Sequence, residues 1–512
     1  MKKFSIILIA LFMVSGAVAQ SCLPEGIYFS TQAQVDSFQI NYPGCTEIEG
    51  DVGIGGIEND ITNLNGLFGL TSINGNLHIG DYDYFMNPLL VNLTGLNNIS
   101  SIGGHLVISQ NIALSNLTGL EGLTSIGGDL YISNNNSLTS LSGIDNVTSI
   151  GGDVLIGYNN ALTSLIGMEV LTSIVGGLYI NYNNILTSLT GLENLTFIGS
   201  DISITGNTDL TSLTGLDNVT SIGTNFYIYS NDALNNLTGV QDLISIGGIL
   251  LIGSNFVLSS LDGLNNLTSI GGGLSIGDNY ALNSLMGLEG LTFIGGYLDI
   301  CNNDVLTNLA GLENLTSIGG PLFMSQNDGL NNLTGLESLT SIGGELQIYN
   351  NYSLFSLIGL DNLDAGSISD IYIVNNSFLS TCAVESLCNY LASPNGIIEI
   401  HDNETGCDSR EEVEEACGVS VSEIDSHQAT VTSYPNPSRC QTALEYYLEY
   451  DTPVNLSIFN HLGQEVDVLV EENQYIGNYQ VTWNVDELPS GVYFYRFTAG
   501  SQFSTGKMVV VK

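Results

Sequence analysis

Ser125-Ile126-Gly127-Gly128-Asp129-Leu130-Tyr131-Ile132-Ser133-Asn134-Asn135-Asn136-Ser137-Leu138-Thr139-Ser140-Leu141-Ser142-Gly143-Ile144-Asp145-Asn146-Val147-Thr148-Ser149-Ile150 holds one full turn of a repeat that runs through most of the chain, together with the Ser149-Ile150 that opens the next. Its opening Ile recurs at 102, 126, 150, 174, 198, 222, 246, 270, 294, 318 and 342, a strict spacing of 24, with looser copies at Ile48 and Ile73. Within the turn, apolar residues stand at Leu130, Ile132, Leu138, Leu141, Ile144 and Val147, a pattern with neither the 3.6 period of a helix nor a heptad. The Leu130-Tyr131-Ile132 step has period two, which predicts a short strand with Leu130 and Ile132 inward and Tyr131 outward. One such coil cannot bury its own apolar side. Coils must therefore stack, their strands pairing in parallel about 4.8 Å apart. The fold class that follows is mostly β: a right-handed parallel β-solenoid of 24-residue coils.

One polar position is as regular as the Ile. Asn stands at 111, 135, 159, 183, 207, 231, 255, 279, 303, 327 and 351, and again at 376, three residues after the strand Ile. An amide carries both donor and acceptor, so a stack of them can satisfy turn backbone groups coil after coil. The reading is structural. The Gly127-Gly128 pair and its equivalents mark a tight turn into each strand, where a positive φ or a close backbone approach is needed.

The pattern Gly-x-Leu-x-Ile-x-x-Asn-x-x-Leu-x-x-Leu-x-Gly-Leu-x-x-Leu-x-x-Ile resembles the receptor L-domain branch of the leucine-rich repeats, over about Ile48 to Asn376. The resemblance implies recognition or display, with no catalysis.

Six of eight cysteines flank the repeats. Cys22 and Cys45 precede the first coil, and Cys382, Cys388, Cys407 and Cys417 follow the last. A solenoid exposes an apolar cross-section at each end, so disulfide-tied caps are expected at 20–47 and 377–418. The four downstream cysteines allow three pairings. Cys301 and Cys440 are left as free thiols.

After a polar linker at 419–432, a different pattern begins. Tyr434-Pro435-Asn436-Pro437 opens it; alternating strands follow at 454–459 and 479–483 around a turn at His461-Leu462-Gly463. Leu488-Pro489-Ser490-Gly491-Val492-Tyr493-Phe494 and Lys507-Met508-Val509-Val510-Val511-Lys512 complete it. Residues 433–512 closely resemble the type A sorting domain of the type IX secretion system. The resemblance implies a small β-sandwich, partnership with the type IX secretion machinery, a surface lipopolysaccharide as anchor, and Gly491 and Lys507 at family-marked positions. The other end fits export: Lys2 and Lys3, an apolar run from Phe4 to Ala19, and Ala17-Val18-Ala19 predict a signal peptide over 1–19 cleaved before Gln20.

Charge excludes several partners. The chain carries seven Lys and Arg against 52 Asp and Glu, and no basic residue lies between Gln20 and Ser409. Such a surface cannot neutralise nucleic-acid phosphates and is repelled by anionic lipid, so neither nucleic acid nor membrane insertion is expected. Calcium is the one cofactor the carboxylates suggest, against the simpler reading of a solvated acidic coat. The five histidines, at 78, 105, 401, 427 and 461, form no metal-spaced or catalytic pair, and His401-Asp402-Asn403-Glu404 reads as a surface loop. No enzyme is expected. Asn194-Leu195-Thr196 and Asn266-Leu267-Thr268 match a glycosylation sequon but follow from the repeat consensus.

The outward strand positions are studded with aromatics. Tyr131, Tyr179, Tyr227, Phe323 and Tyr372 share one column, with Tyr158, Tyr182, Tyr229 and Tyr349 beside it. These are the candidate binding residues for a glycan or protein ligand, since rigid rings supply contact area at small entropic cost. Tyr is also simply a good strand former. The insert Asp81-Tyr82-Asp83-Tyr84-Phe85 breaks the register and suggests a protruding loop. Competing functions are a structural surface layer and an ice-binding solenoid, the latter from Thr-Ser pairs such as Thr139-Ser140 and Thr148-Ser149.

Overall fold

The computed structural model describes residues 20–80, 86–418, 431–448, 450–500 and 502–512. The signal peptide, the insert at 81–85 and most of the linker lie outside them. The chain divides into two compact units, Met1–Thr224 and Asn225–Lys512.

In the first unit every coil contributes two strands to two parallel sheets. A two-residue strand such as Ser125–Ile126 pairs with Ser101–Ile102 and Ser149–Ile150, and a longer one, Leu130–Ser133, pairs in register with Leu106–Ser109 and Val154–Gly157. The register puts like on like. Leu130 faces Leu106 and Val154, and Ile132 faces Ile108 and Ile156. Leu130, Ile132, Leu138, Leu141, Ile144, Val147 and Ile150 are all buried. Each such aliphatic side chain contributes about 1.5–3 kcal/mol on burial, which is why stacking holds coils that have no core of their own.

The strand-entry turn is tight for want of space. A Cβ on Gly127 would sit 2.1 Å from the Gly103 carbonyl oxygen of the coil before. Positive φ belongs elsewhere in the repeat, at the Leu-x-Gly-Leu glycine: Gly143 has φ 121°, with the Leu117 carbonyl 2.1 Å from where its Cβ would be.

The N-terminal segment expected as a cap is itself a coil. Ser21–Cys22 pairs with Glu47–Ile48, and Ile27–Phe29 with Val52–Ile54. A helix, Gln32–Asn41, follows, started by a capping box between Thr31 and Gln34, and it packs Phe38 edge-on against Phe29 at 5.5 Å.

The second unit repeats the plan. Its longer strands are Phe226–Tyr229, Leu250–Gly253, Leu274–Gly277, Leu298–Cys301, Leu322–Ser325, Leu346–Tyr349, Ile371–Val374 and Ile398–His401. The last lies inside the expected C-terminal cap, so here too the cap carries a coil strand, paired with Ile371–Val374. Two helices, Glu385–Ala392 and Arg410–Gly418, flank it and are joined by a disulfide.

Beyond residue 430 the strands are antiparallel and form two sheets. One orders Thr432–Tyr434, Gln441–Leu448 and Gly477–Asn484; the other orders Glu465–Gln474, Thr452–Asn460, Gly491–Ala499 and Gln502–Val510. Trp483, Leu444, Leu456, Ile458 and Phe497 fill the space between them. Among the described residues no helix is long and apolar enough to cross a membrane.

Candidate functional site

The rigidity of the candidate face begins with the asparagines behind it. Every ladder Asn is fully buried. Asn135 N–H donates to Asn159 Oδ1 at 3.0 Å, Asn159 N–H to Asn183 Oδ1 at 3.1 Å, and Asn159 Nδ2 donates to the Ile132 carbonyl at 2.9 Å. The pattern holds through Asn255, Asn279, Asn303, Asn327 and Asn351 in the second unit, where Asn351 N–H donates to Asn376 Oδ1. Asn207 donates to the Ile180 carbonyl and Asn231 N–H to Asn255 Oδ1, while Asn111 donates to Ile79 and Ser109 carbonyls. These bonds hold open a conformation that would otherwise cost about 1–2 kcal/mol per residue. The residue before each of these Asn is left-handed in nearly every coil, as in Asn134 (φ 57°), Tyr158 (φ 57°) and Tyr182 (φ 56°).

The ladder extends past the regular repeat. Asn87 donates to the Ile54 carbonyl and to Asn111 Oδ1, and Asn403 Oδ1 accepts from the Asn376 N–H at 2.9 Å. Asn403 was legible as Ile398-Glu399-Ile400-His401-Asp402-Asn403, the strand motif at an irregular spacing. Asn87 was hidden by the insert that displaces it.

A second column, unnoticed in the sequence, guards the strand entry. Asn76 N–H donates to Asp51 Oδ1, His105 N–H to Asn76 Oδ1, Asp129 N–H to His105 Nδ1, Asp153 N–H to Asp129 Oδ1 and Gly177 N–H to Asp153 Oδ1, at 2.7–2.9 Å. Its common property is a side chain with an acceptor, supplied by Asp, Asn or His in turn, so the column has no single consensus residue. A third device uses acids: Gly119, Gly143, Gly167 and Gly191 N–H groups donate to Glu121, Asp145, Glu169 and Glu193. Much of the acidic coat therefore performs backbone capping.

On this scaffold the strand face is displayed. Tyr131, Tyr179, Tyr227, Phe323 and Tyr372 are half-buried at the outward centre of their strands, while Val107, in the same column, is 7% exposed and closed off. Tyr158 (49%) and Tyr182 (42%) stand at the corner and stack at 4.8 Å with 17° between planes. Tyr229 is exposed beside Tyr227 and Tyr349 is half-buried. Neighbouring glycines set ring orientation: a Cβ on Gly177 would meet the Tyr179 hydroxyl at 2.7 Å, and one on Gly206 would meet the Tyr182 ring at 2.5 Å. Two exposed rings absent from the sequence-derived set, Phe256 and Tyr280, stack at 5.6 Å in the second unit. They follow the ladder Asn and so lie off the strand column.

Burial, with Asp129 beside it and hydrogen-bonded to it, raises the Tyr131 phenol to about 12. Burial likewise raises the Cys301 thiol to about 12, helped by Asp299 and Asp278. Asp299 is raised by burial, against the bond that Ser275 Oγ donates to it at 3.1 Å. Among the described residues no three His, Cys, Asp or Glu side chains converge as a metal would need. His401 is exposed and bonds Asp402 through Nδ1 at 2.8 Å.

Disulfides join Cys22 to Cys45, Cys382 to Cys407 and Cys388 to Cys417, with Cα separations of 5.7, 5.6 and 5.3 Å. Cys301 and Cys440 are free. The sequon amides are engaged: Asn194 Nδ2 donates to the Glu169 carbonyl and Asn266 Nδ2 to the Gln241 carbonyl. The Thr139 and Thr148 hydroxyls donate to the Ser115 and Thr124 carbonyls of the coil before.

In the C-terminal sandwich, Gly491 opens a strand and lies opposite Val510, and Lys507 lies opposite Phe494. The Tyr434-Pro435-Asn436-Pro437 opening has a structural reason. Asn436 Nδ2 donates to the Lys507 carbonyl at 2.7 Å and its Oδ1 accepts from Val509 N–H at 2.8 Å, tying the first segment to the last strand.

Family models agree with both parts: six copies of a BspA type leucine rich repeat region match over 77–203 and 105–234, and a secretion system C-terminal sorting domain matches over 432–512. The chain is a leucine-rich-repeat solenoid with a type IX sorting domain. That leucine-rich-repeat solenoid is exported to the cell surface or the extracellular space, and its tail engages the type IX secretion machinery. No curated protein is similar enough to match.

Proposed function

We propose that this chain is a surface-displayed adhesin or recognition module that binds through the outward aromatic column of its longer-strand sheet. The observation that carries the reading is the juxtaposition of Tyr131, Tyr179 and the stacked Tyr158–Tyr182 pair with a backbone locked by the buried Asn ladder. Rings held on a fixed lattice lose little freedom on binding, the condition under which aromatic contacts give net affinity. The lipopolysaccharide anchor and the division into signal peptide, caps, solenoid, linker and sorting domain are parts of the same proposal. A structural surface layer is the second reading, favoured by how many side chains serve only to bond one coil to the next. The ice-binding reading loses support, because the Thr hydroxyls that would order water donate to backbone carbonyls. A glycan and surface-protein array probed with the full chain, with and without calcium, tests the proposal. Ligand capture lost in a Tyr131→Ala, Tyr179→Ala, Tyr227→Ala variant supports it, and capture that survives removes the face from the account.

A further inference from the structure

The two outward tyrosines of the first unit lie two coils apart. Cross-strand registers place Tyr131 beside Leu155 and Leu155 beside Tyr179, with Val107 before and Ser203 after. At a strand separation of about 4.8 Å, two coils put the two rings about 9.6 Å apart, with Leu155 between them. Tyr179 folds back over Gly177, which has no side chain to hold the ring off the sheet. Hydrogen-bonding groups line both sides of the row. Asp129 and Asp153 stand half-buried at strand entry, and Asn181 and Thr205 stand half-buried at strand exit, where Ser203 Oγ bonds Asn181 Oδ1 at 3.3 Å.

We infer that this row takes an uncharged, extended β-1,4-linked polysaccharide chain lying along the solenoid axis, an assignment that rests on the recognition reading above. Three features select this ligand. In an extended β-1,4 chain successive pyranoses are flipped, so the same C–H face returns once per disaccharide, an advance close to the two-coil spacing of the rings. The apolar face of the sugar meets Tyr131, Leu155 and Tyr179, while its equatorial hydroxyls point sideways at the carboxylates and amide that flank the row. No Lys or Arg occurs between Gln20 and Ser409, so uronate, sulfate and phosphate groups meet only like charge. An α-1,4 glucan curls, and it does not return the same face to both rings.

Calorimetry of the full chain with cellohexaose and hexa-N-acetylchitohexaose tests the assignment, with maltohexaose and hexagalacturonate as controls. The expected result is binding of at least one of the two β-1,4 probes, absent for both controls. Tyr131→Ala and Tyr179→Ala should each weaken it about tenfold, as loss of one ring contact predicts. Tyr131→Phe keeps the ring and should keep the affinity, which separates ring stacking from any disturbance of the Asp129 bond. Equal binding of maltohexaose, or β-1,4 binding indifferent to both Ala variants, overturns the assignment. So does failure of both β-1,4 probes. In that case, capture of another array ligand that depends on Tyr131 and Tyr179 leaves the recognition reading standing, and loss of all tyrosine-dependent capture takes both down.

Discussion

Replacing Asn159 by Ala removes a group that serves two backbone sites of the coil before it. Its Oδ1 accepts the Asn135 N–H at 3.0 Å, and its Nδ2 donates to the Ile132 carbonyl at 2.9 Å. Both partners lie where water has no access, since Asn135, Ile132 and Asn159 are fully buried. An orphaned buried donor or acceptor costs about 1–3 kcal/mol, so the pair predicts about 2–6 kcal/mol. Tyr158, held left-handed just before Asn159, loses its restraint as well. The control is Asn160→Ala. Asn160 is exposed, and its side-chain bonds to Asn136 and Asn184 lie at the surface, so its loss should stay within about 0.5 kcal/mol. Because a repeat array can open locally, the assay pairs denaturant unfolding with amide hydrogen exchange, and the Asn135 amide should exchange faster in Asn159→Ala alone. Equal destabilisation by the two variants, or an unchanged Asn135 amide, refutes the ladder argument.

Gly143→Ala places a Cβ 2.1 Å from the Leu117 carbonyl at φ 121°, and should destabilise more than any Ala substitution on the strand face when midpoints of urea unfolding are compared. Asp299→Asn should raise stability at neutral pH: burial favours the uncharged form, and Asn still accepts the Ser275 hydroxyl, so a lower urea midpoint would contradict it. Cys301 and Tyr131 both carry protons held more tightly when folded. Their contribution is intact below the unfolded values of 9.0 and 10.0 and falls as pH rises towards about 12, so thermal scans should show stability declining across that alkaline window. Removing the Cys388–Cys417 bridge with Ser at both positions should cost about 3 kcal/mol, read as loss of protection in the 385–418 helices. Deleting Tyr434 to Lys512 should trap the chain in the periplasm, and a truncated chain found by surface labelling would contradict the sorting assignment.

The solenoid was legible because one coil's apolar spacing has a single solution, and copying it eleven times fixed register as well as fold. What the sequence concealed were relations between unlike residues. Asn76, His105, Asp129 and Asp153 perform one task with three residue types, so the column has no consensus. The caps read as separate because their helices and cysteines break the pattern, although Ser21–Cys22 and Ile398–His401 still pair as coil strands. The aromatic column was visible by counting, but the lie of the rings depends on Gly177, two residues before Tyr179, and on Gly206, in the coil after Tyr182, neither of which carries a ring to count. Asn436 stands in the Tyr434-Pro435-Asn436-Pro437 motif, and its bonds to the last strand lie across more than 70 residues, a distance no local pattern spans.

The central claim is that a rigid, displayed face binds. Cells that export the wild-type chain and the Tyr131→Ala, Tyr179→Ala, Tyr227→Ala variant should be compared for surface antibody staining and, on the same cells, attachment to a ligand-coated surface. The account predicts equal staining with attachment lost in the variant. Equal staining with attachment retained would contradict it and leave the solenoid as a structural coat.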